Sequence, residues 1–237
     1  EVSGSITVTG AVSATNVTST SSESSGGEGG SADGDPNWDK VSLLITGDET
    51  DGNDTTGDHV VTTHGGVSTS DDGTYGKVWD LDGSDDYLTV PWNSDFEFGT
   101  DDFTIELRVK LNSTPNSSRS SLVNILQDPP DHGLFFTVEN GWGYNRTARV
   151  FTRVDGSNQH TELNATNFIP SLDTWYHVAL VRHNDTLTLY RDGVSQGSQS
   201  FTNAFPSTKT DAVVKIGQRS PTYASGSVHS DGQYTDI

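Results

Sequence analysis

Short apolar stretches that alternate with polar residues and end at turn residues constrain this chain more than any other feature. In the clearest of them, Phe103–Leu111, each apolar residue is followed by Thr, Glu, Arg or Lys. A period of two buries one face of a β-strand and leaves the other face wet. Helical periodicity is weak throughout the sequence. The pattern therefore predicts an all-β protein, a sandwich or a barrel.

The same pattern predicts further strands on both sides of this one. Trp175–Arg182 is apolar on both faces, which is typical of a central, covered strand. Thr186–Arg191 follows it, and Asp192-Gly193 then supplies a tight turn because glycine tolerates positive φ. The remaining predicted strands are Val41–Ile45, Lys77–Leu81, Tyr87–Val90, Leu122–Leu126, Leu134–Val138, Ala148–Val154, Val213–Ile216 and Gln233–Ile237.

Composition divides the chain into three parts. Residues 1–18 form a short β-prone arm in which Val2, Ile6 and Val8 alternate with Ser and Thr. Residues 19–36 are rich in Ser and Gly with almost nothing apolar to bury, and predict a flexible linker. Residues 37–237 contain the strand pattern and predict one large β domain.

Charge and residue usage exclude several classes of function. The formal net charge is −20, and it lies entirely in residues 1–107, which hold 22 acidic and two basic residues. Phosphate backbones would be repelled, so nucleic acid is not an expected partner. The acidic half is interpreted as a hydrated surface, with a cation site or a basic partner as the alternative. The chain has no cysteine and no apolar run that would insert into a membrane.

Several motifs recur in the order that they have in one known family. They are Leu81–Pro91, Asp95–Phe98, Asp102–Glu106, Thr174–Arg182, Leu187–Gly193, Ile216-Gly217 and Asp231–Ile237. Together they resemble a laminin-G-like domain of the concanavalin A-like lectin/glucanase superfamily. The resemblance implies an antiparallel two-sheet jelly-roll sandwich over residues 37–237. It also implies that the last strand is truncated, because such domains continue past the position of Ile237.

A second resemblance concerns the order of the three parts. The Val/Thr/Gly/Ala/Ser-rich stretch Ser5–Thr15, followed by a linker and such a domain, is similar to structural proteins of marine tailed phages. This implies a virion-surface protein: a fibre, a spike or a capsid decoration. Residues 1–18 would then attach to another virion protein. We also expect a homo-oligomer, with a trimer favoured, because an isolated β-prone segment gains by pairing with copies of itself.

A glycan-active hydrolase on the same fold is the first alternative. Enzymes of this fold carry Glu-x-Asp-x-x-Glu on a core strand, and glycoside hydrolysis needs two carboxylates across the scissile bond. The nearest match here is Glu49-Thr-Asp51-Gly-Asn-Asp54, in a Gly/Asn-rich loop. Gly193-Val-Ser195-Gln-Gly197 matches a nucleophile elbow but follows a β-turn in place of the required strand-to-helix turn. The sequence therefore predicts no enzymatic activity.

The loop Gly141-Trp142-Gly-Tyr144-Asn145 is the predicted ligand site. Two aromatic residues beside an amide suit stacking on a sugar ring with an adjacent hydrogen bond. Trp142, Tyr144 and Asn145 are accordingly the predicted glycan-binding residues, and a host-surface glycan is the predicted ligand. In the alternative interpretation, the aromatics cover a sheet end or an intersubunit contact. A secreted or cell-surface lectin or adhesin unrelated to phage is the remaining alternative.

No cofactor and no metal site are predicted. Two sets of carboxylates are candidate oxygen ligands for a structural calcium ion. They are Asp82, Asp85 and Asp86, and Asp48, Asp51 and Asp54. Turn aspartates commonly hydrogen-bond their own backbone instead. Among the histidines, His177 is predicted to be packed or hydrogen-bonded in its strand, whereas His59 and His64 are predicted to be solvated in a polar loop.

Overall fold

Sixteen strands make up most of the described part of the chain. The computed structural model describes residues 37–48, 52–113, 119–127, 132–141, 144–154, 157–205, 212–219 and 228–237. Two short 3₁₀ helices lie at Trp38–Lys40 and Ser94–Phe96. The strands are β1 (Thr62–His64), β2 (Ser68–Asp71), β3 (Lys77–Asp82), β4 (Tyr87–Pro91), β5 (Phe103–Leu111), β6 (Arg119–Gln127), β7 (His132–Gly141), β8 (Tyr144–Val154), β9 (Ser157–Ala165), β10 (Tyr176–His183), β11 (Thr186–Arg191), β12 (Val194–Ser200), β13 (Val213–Ile216), β14 (Gln218–Arg219), β15 (Val228–His229) and β16 (Asp231–Thr235).

The strands form two seven-stranded antiparallel sheets. The first sheet has the order β1-β4-β13-β6-β7-β8-β9, and the second has the order β12-β11-β10-β5-β16-β3-β2. A two-stranded pair, β14 and β15, lies against β6 outside both sheets. The predicted all-β, two-sheet antiparallel sandwich is thus confirmed.

The core lies between the two sheets and is built from alternate positions of their strands. In β5, Leu107, Val109 and Leu111 are fully buried, while the residues between them are half-buried on the other face. In β4, Leu88 and Val90 are buried in the same way. Each sheet therefore turns one face inward and leaves an outer face whose side chains can serve another purpose.

The structure confirms the predicted tight turn at Asp192-Gly193, which connects β11 to β12. Asp192 and Gly193 have φ angles of +48° and +74°, which place both residues in the left-handed region. Two consecutive left-handed residues are typical of a type I′ turn, whose twist matches that of the strands it connects. β10, the strand predicted to be central, lies between β5 and β11.

The prediction of a first strand at Val41–Ile45 is wrong. Residues 41–46 form no strand, and only Ile45 pairs in ladder fashion, exchanging backbone hydrogen bonds of 2.9 and 3.0 Å with Ile237. The backbone N–H of Leu44 instead donates to the carboxylate of Asp54 over 3.2 Å. An apolar run identifies buried residues, but it cannot show whether their backbone faces a strand or a loop.

Asp54 fastens this loop through its carboxylate. Oδ2 accepts hydrogen bonds from the Thr56 hydroxyl (2.6 Å) and the N–H groups of Thr56 and Leu44, and Oδ1 accepts from the N–H of His59 (3.0 Å). Burial alone would raise the pKa of Asp54, but these hydrogen bonds outweigh it and hold the pKa below its ordinary value of 3.8. The ionised form is therefore the one that stabilises the fold.

Asp54→Asn is expected to lower the free energy of unfolding at pH 7 by about 1–3 kcal/mol, because an amide cannot accept all of these hydrogen bonds. Because the folded pKa is depressed, the contribution is present above pH 3.8 and is lost as the pH falls through the folded value. Urea unfolding at pH 7 and near pH 3 should therefore show a difference from wild type that shrinks in acid. Asp58→Asn, an exposed neighbour, is the control and should match wild type at both pH values. A constant difference would contradict this account.

Candidate functional site

The outer face of the first sheet, the face turned away from the core, carries an unusual set of side chains. Strand register places Thr89, Lys215, Asn124, Phe135 and Phe151 opposite one another on β4, β13, β6, β7 and β8. Adjacent strands lie about 4.8 Å apart, so this row extends about 19 Å across the sheet. A hydroxyl, a cation, an amide and two aromatic rings therefore share one face of the sheet, on which Thr89 and Lys215 are half-buried and Asn124, Phe135 and Phe151 are buried.

The two phenylalanines of the row form a stacked pair covered by guanidinium groups. The rings of Phe135 and Phe151 are parallel within 3°, with centroids 4.9 Å apart. The guanidinium of Arg153 lies 5.7 and 5.6 Å from the two centroids, and that of Arg219 lies 5.4 and 5.5 Å from them. Cations within about 6 Å of an aromatic face are attracted to it. Arg219 reaches this face from β14, so the small β14–β15 pair contributes to the site.

A third arginine lies beside the aromatic pair. The Nη1 group of Arg149 donates to the Glu139 carboxylate over 2.6 Å, and both side chains are more than nine-tenths buried. Glu139 is the one carboxylate among the described side chains on the strands of the first sheet. Arg149, Arg153 and Lys215 lie on strands of this sheet, and Arg219 lies over its outer face from β14.

Three polar oxygens on the same face have no hydrogen-bond partner among the described residues. They are Asn124 Oδ1, Thr137 Oγ1 and Thr147 Oγ1, and all three residues are fully buried. Register places Thr137 beside Arg149 and Thr147 beside Glu139, which puts both hydroxyls on the outer face.

The β1–β4 end of the face is half-exposed and aromatic. The His64 ring stacks on Tyr87 at 4.2 Å and 5°, and its Nε2 lies 2.9 Å from the Thr89 hydroxyl. Lys215 Nζ and the His229 ring each lie 5.9 Å from the Tyr87 ring centroid. The prediction that His64 is solvated in a loop is wrong, because the imidazole is held in β1 between a ring and a hydroxyl.

The surroundings of both imidazoles at this end favour the neutral form. Burial lowers the pKa of His64, and the charge of Lys215 lowers it further. Burial also lowers the pKa of His229, and this outweighs the raising effect of the nearby carboxylates of Asp85, Asp82 and Asp86. Lys215 is therefore the positive charge at this end of the face near neutral pH.

Two further histidines, His59 and His177, were assigned surroundings from the sequence. The prediction that His59 is solvated is also wrong, because the residue is only 6% exposed and packs on Phe96 at 5.1 Å. The prediction for His177 is confirmed: its Nε2 lies 3.2 Å from a carboxylate oxygen of Glu106 on the neighbouring strand.

The predicted binding loop lies largely outside the described residues. Trp142 is not among them, and the described part of Tyr144 is its backbone, which begins β8 and pairs with Gly141. Asn145 is exposed, and its carbonyl accepts a hydrogen bond from the N–H of Asn167 over 2.9 Å. The assignment of these three residues to glycan binding stays a prediction. The backbone of Tyr144 and the residue Asn145 lie at the start of β8.

The structure brings one of the two candidate calcium sets together. Carboxylate oxygens of Asp82, Asp85 and Asp86 lie within 4.8 Å of one another. Asp86 already accepts backbone hydrogen bonds from Gly66 (2.5 Å) and Asp82 (3.1 Å). Asp82 accepts one from the N–H of Ser84 over 2.7 Å. These bonds give two of the carboxylates a turn-forming role that needs no ion.

In the second set, Asp54 is occupied by the loop contacts described above, and Asp51 lies outside the described residues. The hydrolase-like match Glu49-Thr-Asp51-Gly-Asn-Asp54 is likewise only partly described, because Glu49 also lies outside the described residues. Ser195 lies in β12, in a hairpin of two strands, so the local structure is not that of a nucleophile elbow.

Millimolar calcium is expected to leave the melting temperature unchanged, because the clustered carboxylates are already engaged with backbone N–H groups. A calcium site filled at 50 times its dissociation constant would stabilise the protein by about 2.3 kcal/mol. For a domain of this size that is a rise of about 5–9 °C, which calorimetry resolves easily. Scans in calcium and in chelator should superimpose. A rise in calcium that disappears in Asp85→Asn would contradict the expectation.

In the part of the chain that the structure describes, no helix is long and apolar enough to cross a membrane.

Comparison with known proteins identifies the family to which the chain is similar. Residues 82–236, well over half of the chain, match the family model Laminin_G_3, described as the concanavalin A-like lectin/glucanases superfamily. No curated protein matches the chain.

Solved structures with a similar fold include two toxin domains and one domain of an enzyme. The receptor binding domain of botulinum neurotoxin D superposes with a TM-score of 0.60 at 14% identity, covering 84% of this chain and 50% of that one. A structure of botulinum neurotoxin type C, whose cell entry depends on interaction with two ganglioside molecules, superposes with a TM-score of 0.58 at 12% identity, covering 82% of this chain and 48% of that one. Domain 4 of AbnA, an extracellular arabinanase from Geobacillus stearothermophilus, was solved in complex with arabinotriose. It superposes with a TM-score of 0.59 at 17% identity, covering 82% of this chain and 88% of that one. The chain thus spans about half the length of the toxin domains and most of the arabinanase domain.

Proposed function

This chain belongs to the concanavalin A-like lectin/glucanases superfamily, and we propose that it is a carbohydrate-binding protein that holds a glycan on the outer face of its first sheet. The observation that carries the proposal is the half-exposed end of this face, where the ring of Tyr87, the hydroxyl of Thr89 and the ammonium of Lys215 lie together. A half-exposed aromatic ring beside a hydroxyl and a cation offers a packing surface and hydrogen-bonding groups to the same ligand.

The residues at this half-exposed end suit a sugar. Sugar-binding sites combine aromatic rings, which pack on the C–H faces of the pyranose, with a few polar groups that fix its orientation. The half-exposed end supplies the ring of Tyr87 together with hydroxyl and ammonium groups. The rings of Phe135 and Phe151 are 0% and 3% exposed and lie beside the guanidinium groups of Arg153 and Arg219. A glycan is supported by analogy of fold, because AbnA domain 4 was solved in complex with arabinotriose and cell entry of botulinum neurotoxin type C depends on ganglioside molecules.

The same geometry supports binding without catalysis. Hydrolysis of a glycosidic bond requires two carboxylates facing each other across the substrate. Among the described side chains on the first sheet, Glu139 is the one carboxylate, and the guanidinium of Arg149 occupies it. The hydrolase alternative predicts release of reducing ends from the bound glycan. The present proposal predicts that the glycan is recovered intact after prolonged incubation.

Tyr87→Ala is expected to weaken glycan binding at least tenfold, because it removes the half-exposed ring at the accessible end of the face. A glycan array followed by titration calorimetry with the full chain measures the effect. Tyr75→Ala is the matched control: it is also a half-buried tyrosine beside a cation, 4.7 Å from the Arg108 guanidinium, but it lies on the outer face of the second sheet. Equal losses in the two variants, or none in either, would contradict the proposal, provided that both keep the wild-type melting temperature.

The predicted loop residues belong in the same assay. We propose that Trp142, Tyr144 and Asn145 extend the binding surface beyond the end of the sheet, supported by their composition and by the position of the β7–β8 turn. Trp142→Ala then weakens binding to a smaller extent than Tyr87→Ala. A complete loss in Trp142→Ala alone would move the site from the sheet to the loop.

We also propose that the domain is displayed on the surface of a tailed-phage virion and adheres there to host glycans. The support is the sequence resemblance of residues 1–36, which lie outside the described residues. In this proposal, residues 1–18 join copies of the chain, as a trimer, to another virion protein. Light scattering of the full chain should give a trimer mass. A monomer mass would remove the support for assembly through residues 1–18 without affecting the glycan proposal.

A further inference from the structure

The short edge strand β1 meets the proposed site through one side chain, that of His64. We infer that His64 is the positioning residue of the glycan site, which holds the ring of Tyr87 and the hydroxyl of Thr89 in the orientation that the ligand meets. This role rests on the proposed function and adds a residue to it. Because His64 acts through its two neighbours, its loss weakens binding even where the imidazole itself does not touch the glycan.

Core packing does not explain why β1 pairs with the first sheet. A strand of an antiparallel sheet ordinarily packs one of its faces on the core. β1 has three residues and buries none of them completely: Thr62 and Thr63 are exposed, and His64 is half-buried. The strand lies at the edge of the sheet, and its register places His64 opposite Tyr87 of β4. The partly buried side chain that β1 brings to the sheet is therefore the imidazole.

The imidazole holds two groups of the proposed site at once. Its ring is parallel to the ring of Tyr87 within 5°, with the centroids 4.2 Å apart. Its Nε2 lies 2.9 Å from the hydroxyl oxygen of Thr89. Tyr87 and Thr89 are two residues apart on β4, so their side chains lie on the same face of the sheet. One side chain thus fixes an aromatic ring by stacking and a neighbouring hydroxyl by a hydrogen bond.

Fixing these groups before the ligand arrives raises affinity. A half-exposed tyrosine or threonine that is ordered only on binding lowers the affinity by the conformational freedom it loses, and a side chain already held in the unbound protein avoids that loss. Tyr87 and Thr89 are both half-buried and are the groups that the proposed site offers for packing and hydrogen bonding. Contacts that restrain them in the absence of ligand therefore contribute to binding.

The stack also restricts how a sugar can approach. Because the imidazole lies against one face of the Tyr87 ring, a sugar can pack only on the opposite face or against the ring edge. Lys215 Nζ and the His229 ring, each 5.9 Å from the centroid of Tyr87, border the same ring. The site therefore suits a sugar that presents one apolar C–H face together with hydroxyl groups, and it does not enclose a sugar between two aromatic rings.

Variants at position 64 separate the two contacts. His64→Phe keeps a ring to stack on Tyr87 but cannot bond to Thr89, whereas His64→Gln keeps a hydrogen-bonding group but cannot stack. Each is expected to weaken binding about threefold, and His64→Ala, which loses both contacts, at least tenfold. Titration calorimetry of the full chain measures this with the array glycan that wild type binds most tightly. His183→Ala is the matched control, because His183 is also a half-buried strand histidine but lies in the second sheet, and it should bind as wild type does.

A double-mutant cycle shows whether the imidazole acts through Thr89. Thr89→Val removes the hydroxyl and keeps the shape of the side chain. If His64 positions this hydroxyl, His64→Phe changes the affinity of the Thr89→Val variant by less than about twofold, because the contact is already lost. A residue that only stabilises the fold would lower the affinity by the same factor in both backgrounds. The melting temperature of each variant shows that the domain is folded at the temperature of the titration.

The outcomes distinguish this role from the proposed function. Independent, multiplying losses in the cycle, or wild-type affinity in His64→Ala while Tyr87→Ala still loses binding, overturn the positioning role and leave glycan binding intact. Binding of wild type to no glycan on the array overturns the proposed function and the positioning role together. Partial losses in His64→Phe and His64→Gln, a larger loss in His64→Ala and coupling to Thr89 support the assignment.

Discussion

Arg182→Ala is expected to lower the free energy of unfolding by about 3–5 kcal/mol, one of the two largest effects that the structure predicts. The Arg182 side chain is fully buried at the end of β10. Its guanidinium donates to the carbonyls of Gly99 (2.9 Å) and Phe201 (3.2 Å) and to the carboxylate of Asp185 (3.1 Å). Losing buried donors costs about 1–3 kcal/mol each, and the cavity left by the side chain adds to this.

The guanidinium also lies 5.5 Å from the ring of Phe201 and 5.9 Å from that of Phe205, so the variant loses packing as well as hydrogen bonds. The melting temperature should fall by about 6–20 °C in calorimetry. Arg182→Met keeps much of the packing and should lie between alanine and wild type. Lys77→Ala removes an exposed strand cation and is the control, with an expected change below about 0.5 kcal/mol. Similar melting temperatures for Arg182→Ala and Lys77→Ala would contradict the assigned role.

Gly133→Ala is expected to cost about 3 kcal/mol or more. Gly133 has a φ of +139°, which residues with a side chain rarely adopt. A Cβ at this position would collide with the carbonyl oxygen of Ile125 and approach Cα of Leu126 to 2.9 Å. Both contacts are backbone atoms of β6, so no side-chain rotation relieves them. The β6–β7 pairing would have to shift, and overpacking and backbone strain each cost about 1–3 kcal/mol.

Gly73→Ala separates the two causes. Gly73 has a φ of +77°, but a Cβ there meets nothing within 4 Å. This variant therefore measures the conformational cost alone, about 1 kcal/mol. Chemical unfolding of the two variants should differ by at least about 2 kcal/mol. Equal losses would show that the close approach of β6 and β7 at Gly133 is not required. Because Gly133 is opposite Arg153 on β8, a destabilised Gly133→Ala should also disturb the binding face.

Most of the fold was predictable because the buried strands show their alternation in the sequence. Phe103–Leu111 became β5 with the predicted faces, and the turns at Asp192-Gly193 and Asp82-Gly83 have the positive φ that glycine allows. The strands that escaped prediction lie at sheet edges or outside the sheets: β1, β2, β9, β12, β14 and β15. β1, β2 and β12 bury no residue completely, so they show no apolar alternation. Polar edge strands cannot be distinguished from loops by hydrophobic pattern alone.

The candidate site was largely hidden from sequence analysis. Lys215, Asn124, Phe135 and Phe151 become neighbours through the registers of four strands, and the hydrophobic pattern does not specify those registers. Arg219 belongs to β14, which is not a strand of that sheet. One local signal was available: Arg149, Phe151 and Arg153 occupy alternate positions of β8, on the face opposite Ala148 and Val150. Cations in phase with an aromatic residue on an otherwise buried strand indicate a functional outer face.

The most direct test of glycan binding by the first sheet is NMR shift mapping of the isotope-labelled full chain with the tightest-binding array glycan. The account predicts that the largest shifts fall on the outer face of the first sheet, at Asn124, Phe135, Phe151 and Lys215. Residues of the same strands that point into the core, such as Phe136 and Val150, should move less, and the outer face of the second sheet, at Arg108 and Lys110, should not move. Shifts confined to the second sheet would contradict the account.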